Sequence, residues 1–557
     1  MLLAAHSSLL DHGPRAFIPE HVTNLLATPL RANKVDTLNS GQPAALNSGP
    51  FTPSQLSQAY GFDDIFFPTS GGGLIAGDGS GQTIAVVIVG QQPNLVADLH
   101  AFSQAYGLPD AQLTIVNQYG STSSLPALAT GNWGIEATLD VQMIHALAPG
   151  AGILVVEAAS SATLSLFQAI DTARQAGTGS LASLPYTTVV SMSWGFADYA
   201  GDSAGAPFST PAGKTGVSFV ASSGDQGTQG LYPSVDPYVL SVGGTSLATD
   251  AQGNYVSESA WSGSNGGFGA NSVPSYQQGI QPYGATNSSG RRMAPDVSFD
   301  ASFTIYDTYD GGGWMSVGGT SVSAPAWAAL VAIVDQGLNL NGQSPLAGNQ
   351  LLNSLYSIYG SGNYQYAFHD ITSGGNASYS AGPGYDLVTG LGTPRAEVLA
   401  ALLSGNSLTP TPSGPSGTVT STTPTFQWSS VPGATSYSLT LTDTTTQQTV
   451  FSNLSVAATS YLPTTPLTSG HSYQWQVQAS DNNGPLAQAS NSIAFSVRAA
   501  LVGDVNGDGI VNGQDLALLA ANWLSSGPVG DLNGDGIVNN QDAALVTSNW
   551  LATNLRK

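Results

Sequence analysis

Between residues 51 and 403 the chain alternates short runs of apolar, largely β-branched residues with helical stretches, and no other feature limits its fold as strongly. The runs are 83–89, 153–156, 187–192, 217–221 and 238–242. A strand with one wet face alternates apolar and polar residues, whereas a strand buried on both faces reads as a continuous apolar run. Helical stretches between such strands cover both faces of a parallel sheet. The expected class is therefore α/β with a doubly wound parallel sheet.

The pattern then changes twice. Residues 404–423, rich in Pro, Ser, Thr and Gly, read as an interdomain linker. Over 424–499 the period becomes two, with Phe426 and Trp428, then Tyr437, Leu439 and Leu441, Tyr473, Trp475 and Val477, and Ile493, Phe495 and Val497. Turn residues separate these runs, which predicts an all-β sandwich that resembles a fibronectin type III module. Residues 500–557 hold a duplication in which GDVNGDGIVNGQDLALLAANWL is followed by GDLNGDGIVNNQDAALVTSNWL. Residues 1–50 are polar and irregular and read as a leader or flexible arm.

Charge narrows the function. Eleven basic residues against 34 acidic ones give a net charge of −23. Nucleic-acid binding needs a basic patch, so it is excluded as a role. Carboxylates in excess suit hard cations. The chain has no cysteine, which rules out disulfides and thiolate metal sites. No apolar run approaches the roughly 18 residues of a membrane span. The N-terminus, Met-Leu-Leu-Ala-Ala, meets His6, Ser7 and Ser8 before an apolar core forms and is not read as a signal peptide. An extracellular location is expected from the domains alone.

Catalytic chemistry concentrates in three segments. GGTSVSAPAWAAL, at 318–330, brings Ser321 to a tight turn before an Ala-rich helical stretch that begins around Pro325. A serine there has an exposed hydroxyl close to backbone N–H donors, as a nucleophile requires, although a structural Gly-Thr-Ser turn fits the same residues. None of the seven histidines has the context of its general base, and His145, in an apolar helical stretch, reads as structural. GNWGIEATLDVQMIHALAPGAGI instead places Glu136 and Asp140 at i, i+4 spacing, on one helix face. Two carboxylates so close do not both ionise easily, and such a pair can act as base and then acid. The third segment, FVASSGDQG, carries Asp225 in a Gly-rich turn.

Together the three segments resemble the sedolisin family of serine-carboxyl peptidases, with their subtilisin-like fold. TPSQLSQAYGF, GQTIAVVIVG, VVSMSWG, YPSVDPYVLSVGGT, SESAWSGSNGGFG and APDVSFDA extend the match across 51–403. The resemblance implies Ser321 as nucleophile, Glu136 as its base, Asp140 as partner of that base and Asp225 as a protonated oxyanion stabiliser, acting on protein or peptide substrates in acid. It also implies a Ca²⁺ site in AFHDITSGGNASYSAGPGYDLVTGLGTP, formed by Asp370, the carbonyls of Ile371, Gly382 and Gly384, and Asp386. Where many members carry a supporting acid in the first strand, this chain has Ile88.

In the tail, Asp504, Asn506, Asp508, the Ile510 carbonyl, Asn512 and Asp515 occupy positions 1, 3, 5, 7, 9 and 12 of an EF-hand-like calcium loop. Asp531, Asn533, Asp535, the Ile537 carbonyl, Asn539 and Asp542 repeat them. Gly509 and Gly536 stand where such a loop turns sharply. The tandem loops, each followed by an apolar helix, resemble a type I dockerin, a small α-helical calcium-binding domain, and that resemblance implies a cohesin-type scaffold partner. The two residues before the last ligand, often Ser-Thr in dockerins, are Gly513-Gln514 and Asn540-Gln541.

The expectation is thus a secreted serine-carboxyl peptidase tethered by its tail. A catalytically inactive surface or scaffold-binding protein is the alternative, with Ile88 as its best support. A polysaccharide-degrading enzyme rests on the dockerin alone, because carboxylates on adjacent helical turns do not flank a sugar ring.

Overall fold

The computed structural model describes residues 28–29, 49–69, 71, 73–198, 206–498 and 501–553, so the arm expected over 1–50 lies almost wholly outside the described residues. The chain divides into two compact units, Met1–Leu408 and Thr409–Lys557.

The first unit is built on a sheet of β1 (Thr83–Val89), β2 (Gln112–Asn117), β3 (Gly152–Ala158), β4 (Val189–Met192), β5 (Ser218–Ser222), β6 (Leu240–Thr249) and β7 (Tyr255–Ala260), with β8 (Val297–Asp300) paired to β6. The spatial order is β7-β6-β5-β4-β1-β3-β2. All these pairs are parallel except β6 with β7. Every residue of β1 but Val89 is buried, as the continuous apolar run predicted. On one face, Ala85 and Val87 of β1 and Leu154 and Val156 of β3 pack against Leu166, Phe167 and Ile170 of a helix, Thr163–Gln175.

Strand alternation turns Ile84, Val86 and Ile88, with Ile153, Val155 and Glu157, to the opposite face. There α1 (Trp133–Leu147) and α2 (Thr320–Leu340) pack against β1 and against each other. A hairpin, β9 (Ser302–Asp307) with β10 (Gly313–Gly318), delivers the chain into α2. Sequence reading starts this helix near Pro325; it starts at Thr320, so Ser321 lies within the first turn. Gly319 makes the entry at φ 149°, a conformation that side chains other than glycine's resist. Pro325 has no N–H, so the Ser321 carbonyl is left without its intrahelical donor. By length and composition α2 could also cross a membrane, but its apolar stretch is wholly buried as the central helix of the sheet.

The second unit begins inside the segment read as a linker. Pro412–Gly414 (β11) pairs with Phe426–Trp428 (β12), and Gly417–Val419 with Ile493–Val497 (β13), so 404–423 contributes two strands to the sandwich. Proline and threonine carry little core volume, which hid these strands from a pattern search. Phe426 and Trp428 from one sheet meet Trp475 and Phe495 from the other, with Phe426–Trp475 ring centroids 5.1 Å apart. After the sandwich come two short helices, Gly513–Ala521 and Asn540–Ser548. A small core of Val511, Leu519, Val538 and Val546 joins them, two residues from each repeat.

Candidate active site

Parallel strands carry their sites beyond their C-terminal ends, and the four residues singled out in the sequence gather there. Glu136 lies in the first turn of α1 and Asp140 one turn on. Both are fully buried, as is Ser321. Burial raises the proton affinity of the Glu136 carboxyl well above the usual range, and the Asp140 and Asp225 charges raise it further. The Ser321 hydroxyl, interacting with the same carboxyl, opposes part of that rise. Neither Glu136 oxygen has a hydrogen bond of normal length. Catalytic contacts in unliganded sites are often long and tighten around substrate. Burial pushes Asp140 up to about 8, opposed by the Ser193 hydroxyl. That hydroxyl, just past β4, donates to Asp140 Oδ1 at 2.6 Å.

Asp225 follows β5 and reaches toward Thr320, the residue before the nucleophile. Its Oδ1 accepts the Thr320 N–H at 2.8 Å and the Thr320 hydroxyl at 2.7 Å. Its Oδ2 is buried without a partner. Burial pushes the group up to about 7, against those two bonds. With Oδ1 already accepting twice, a proton on this carboxyl belongs on Oδ2. Asp225 is also the one member of the four that is partly exposed, although its Oδ2 is buried.

His145, by contrast, is buried and makes a 2.8 Å bond from Nε2 to the Pro109 carbonyl oxygen, with burial lowering its pKa. It is structural, as read. Ser193 and Thr320 lie within VVSMSWG and GGTSVSAPAWAAL, but sequence reasoning gave them no role of their own; only the packing of α1 and α2 on the strand ends shows which carboxylates they hold. Ile88 is fully buried and stands opposite Glu157 across β1 and β3. Neither oxygen of Glu157 has a hydrogen-bond partner, and burial pushes it up to about 8.

A sequence profile of the Subtilase family matches residues 120–354, and one of the dockerin type I domain matches 502–551. Kumamolisin from Bacillus sp. (strain MN-32) is 33% identical over 387 residues, 63% of this chain and 64% of that protein. Sedolisin from Pseudomonas sp. (strain 101) is 29% identical over 389 residues, 62% of each. A solved Pseudomonas sedolisin, a serine-carboxyl proteinase complexed with two molecules of pseudo-iodotyrostatin, superposes with a TM-score of 0.51 at 26% identity, covering 65% of this chain and 99% of that one. This chain carries a sedolisin-family domain. Its C-terminal repeats form a dockerin domain. The chain spans less than two thirds of the length of the curated relatives it matches. The sedolisin domain has the subtilisin-like parallel α/β fold expected of it.

Two further sets of candidates lie away from the catalytic cluster. In the sedolisin domain, Asp370 and Asp386 both act on the Tyr364 hydroxyl, so the loop does bring them together. Asp370 accepts the Gly384 N–H, and Asp386 Oδ2 accepts the Gly382 N–H at 3.2 Å. In the dockerin, Asp504, Asp508 and Asp515 each offer an oxygen within 4.8 Å of the others. Asp504 Oδ1 is buried with no partner. Asp515 accepts the N–H groups of Val505, Asn506 and Asn512, and Asp542 does the same with Leu532, Asn533 and Asn539. Asn512 and Asn539 cap the two helices by accepting from Gln514 and Gln541. The repeat is thus one of structure as well as sequence. Dockerin domains typically bind calcium, and an orphaned carboxylate oxygen among three converging acids suits a hard cation.

Proposed function

We propose that this protein is a secreted peptidase that cleaves peptide bonds in acid through an acyl-enzyme on Ser321. The observation that carries this reading is Asp225, held on one oxygen by Thr320, the residue before the nucleophile, with its other oxygen buried and unpartnered. In the first step Glu136 takes the Ser321 hydroxyl proton as Oγ bonds to the scissile carbonyl carbon. Asp140 shares the proton load of that carboxyl. The developing oxyanion receives a hydrogen bond from protonated Asp225 Oδ2. Such a donor, placed where charge appears and kept from water, is worth roughly 2.7–4 kcal/mol in a serine peptidase. Glu136 then protonates the leaving amine as the C–N bond breaks, leaving an ester on Ser321. Water attacks that ester by the reverse route, giving the acid product and the free hydroxyl.

Calcium is assigned to both dockerin loops, held by Asp504, Asn506, Asp508, the Ile510 carbonyl, Asn512 and Asp515, and by their counterparts Asp531 to Asp542. It is assigned as well to the loop of Asp370, Ile371, Gly382, Gly384 and Asp386. There the ion would hold the segment against the domain, with no part in bond cleavage. The dockerin supports tethering to a cohesin-type partner, and the sandwich serves as a fibronectin type III-like spacer.

The test is hydrolysis of denatured protein, with calcium, from strongly acid to mildly alkaline pH, comparing wild type with Ser321→Ala. Activity that peaks in acid and is absent in the variant supports the reading. A folded wild type inactive throughout that range sinks it, and leaves the surface-protein alternative.

A further inference from the structure

We propose that Ser193 is a positioning residue for the carboxyl pair: its hydroxyl holds Asp140 Oδ1, so that Oδ2 is the oxygen through which Asp140 and Glu136 share a proton. This rests on the peptidase reading of the same site. Ser193 has no exposed surface and donates to Asp140 Oδ1 at 2.6 Å. Asp140 Oδ2 has no partner of its own. A hydrogen-bond donor on one oxygen settles which lone pairs remain, so the pair's proton has a single route. The network then runs Ser321, Glu136, Asp140, Ser193, and ends in a hydroxyl.

Val86 stands opposite Ser191 in the parallel register of β1 and β4, so Ile88, two residues on, is level with Ser193. Ile88 offers no polar atom. Glu157 is an ionisable group on that face, opposite Ile88 in β3. It lies two strands from Ser193, roughly 9–10 Å across the sheet, beyond hydrogen-bond reach of the residue Ser193 holds. Other titratable groups on or against α1 are Asp225, acting on Glu136; His145, turned to the Pro109 carbonyl; Asp307, which accepts from the Thr138 hydroxyl; and Asp310, beside Gly134.

A donor to Asp140 stabilises its ionised form. The active pair carries one proton and one negative charge; in stronger acid it takes a second proton and ceases to be a base. Removing the Ser193 hydroxyl weakens the charged form, so the second proton binds at higher pH. The low-pH limb of kcat/KM should move up by about one pH unit, a tenfold change in proton affinity, the size of a lost hydrogen bond to a charged group.

The experiment compares Ser193→Ala, Ser193→Thr and Glu157→Gln on one peptide substrate across the acid range. Ser193→Ala is expected to shift the limb upward and Ser193→Thr, which keeps the hydroxyl, to restore it. Glu157→Gln should leave the limb in place, because Glu157 lies two strands from Ser193, beyond hydrogen-bond reach of the residue Ser193 holds. An activity loss in Ser193→Ala with the limb unmoved would reduce Ser193 to a packing role and overturn the proposal, as would a shift in Glu157→Gln alone. The same comparison is made without turnover, by infrared titration of isotope-labelled aspartate carboxyls in Ser321→Ala protein, with Asp140→Asn to assign the band. An unshifted Asp140 titration in the Ser193→Ala form refutes the inference even if the protein hydrolyses nothing.

Discussion

Replacing Asp225 by asparagine separates two ways in which this carboxyl could serve the reaction. Burial sets its proton affinity near pH 7, and the two Thr320 bonds fill Oδ1. Below that pH the group is a neutral donor through Oδ2; above it, each unit of pH removes about nine tenths of the remaining donor form. Asparagine keeps both features. Its carbonyl can accept from Thr320, and its amide N–H then points where Oδ2–H pointed, at every pH. Asp225→Asn is therefore expected to retain activity within roughly tenfold of wild type in acid and to lose the fall in rate near neutrality. Asp225→Ala has no donor and should lose about 10²–10³ in kcat at all pH values. The assay is kcat/KM on a quenched fluorogenic peptide across pH, with circular dichroism to confirm that each variant is folded. Two results would refute the reasoning. One is an asparagine variant as inactive in acid as the alanine variant, since a neutral donor would then not be what the position supplies. The other is an alkaline limb that stays near 7 in Asp225→Asn, since another group would then be titrating.

Asp335, fully buried in α2 with Oδ1 accepting the Leu346 N–H and Oδ2 unpartnered, is pushed by burial up to about 8. A carboxyl raised on folding supports the fold below its unfolded pKa and loses that support as pH rises through the folded value. Asp335→Asn should therefore leave the thermal midpoint unchanged in acid and raise stability at neutral pH, by on the order of 3 kcal/mol, read by denaturant unfolding. An equal effect at both pH values would show that the group's ionisation is not the cause. Chelation of calcium should lower the thermal stability of the dockerin domain. In calorimetric titration of the full chain Asp504→Ala and Asp531→Ala should each remove one equivalent of bound calcium; unchanged stoichiometry in either would count against that loop as a site.

Much of this protein is written locally. The continuous apolar runs dictated a buried parallel sheet because a strand covered on both faces has no polar side to show. The i, i+4 spacing put Glu136 and Asp140 on one face whatever surrounds the helix. The spacing of acids and glycines around Asp504 and Asp531 has the pattern of a calcium loop, and such a pattern is legible because the ligands of such a loop come from one short segment. The start of α2 was misplaced because Pro325 reads as a helix beginning, while the backbone needed to enter the helix is supplied earlier, by Gly319. The first two strands of the sandwich were hidden in a Pro/Thr-rich segment that pairs through its backbone and contributes little core.

What the tertiary structure alone decided is which polar atoms face one another. Ser193 lies 53 positions from Asp140, and Thr320 lies 95 from Asp225. No periodicity links residues so far apart. Their meeting depends on the order of β1, β4 and β5 in the sheet and on how α1 and α2 settle over the strand ends. The candidate catalytic residues could be named from the chain, but the oxygen on which each would keep its proton depends on hydrogen bonds that exist only once distant segments are packed together.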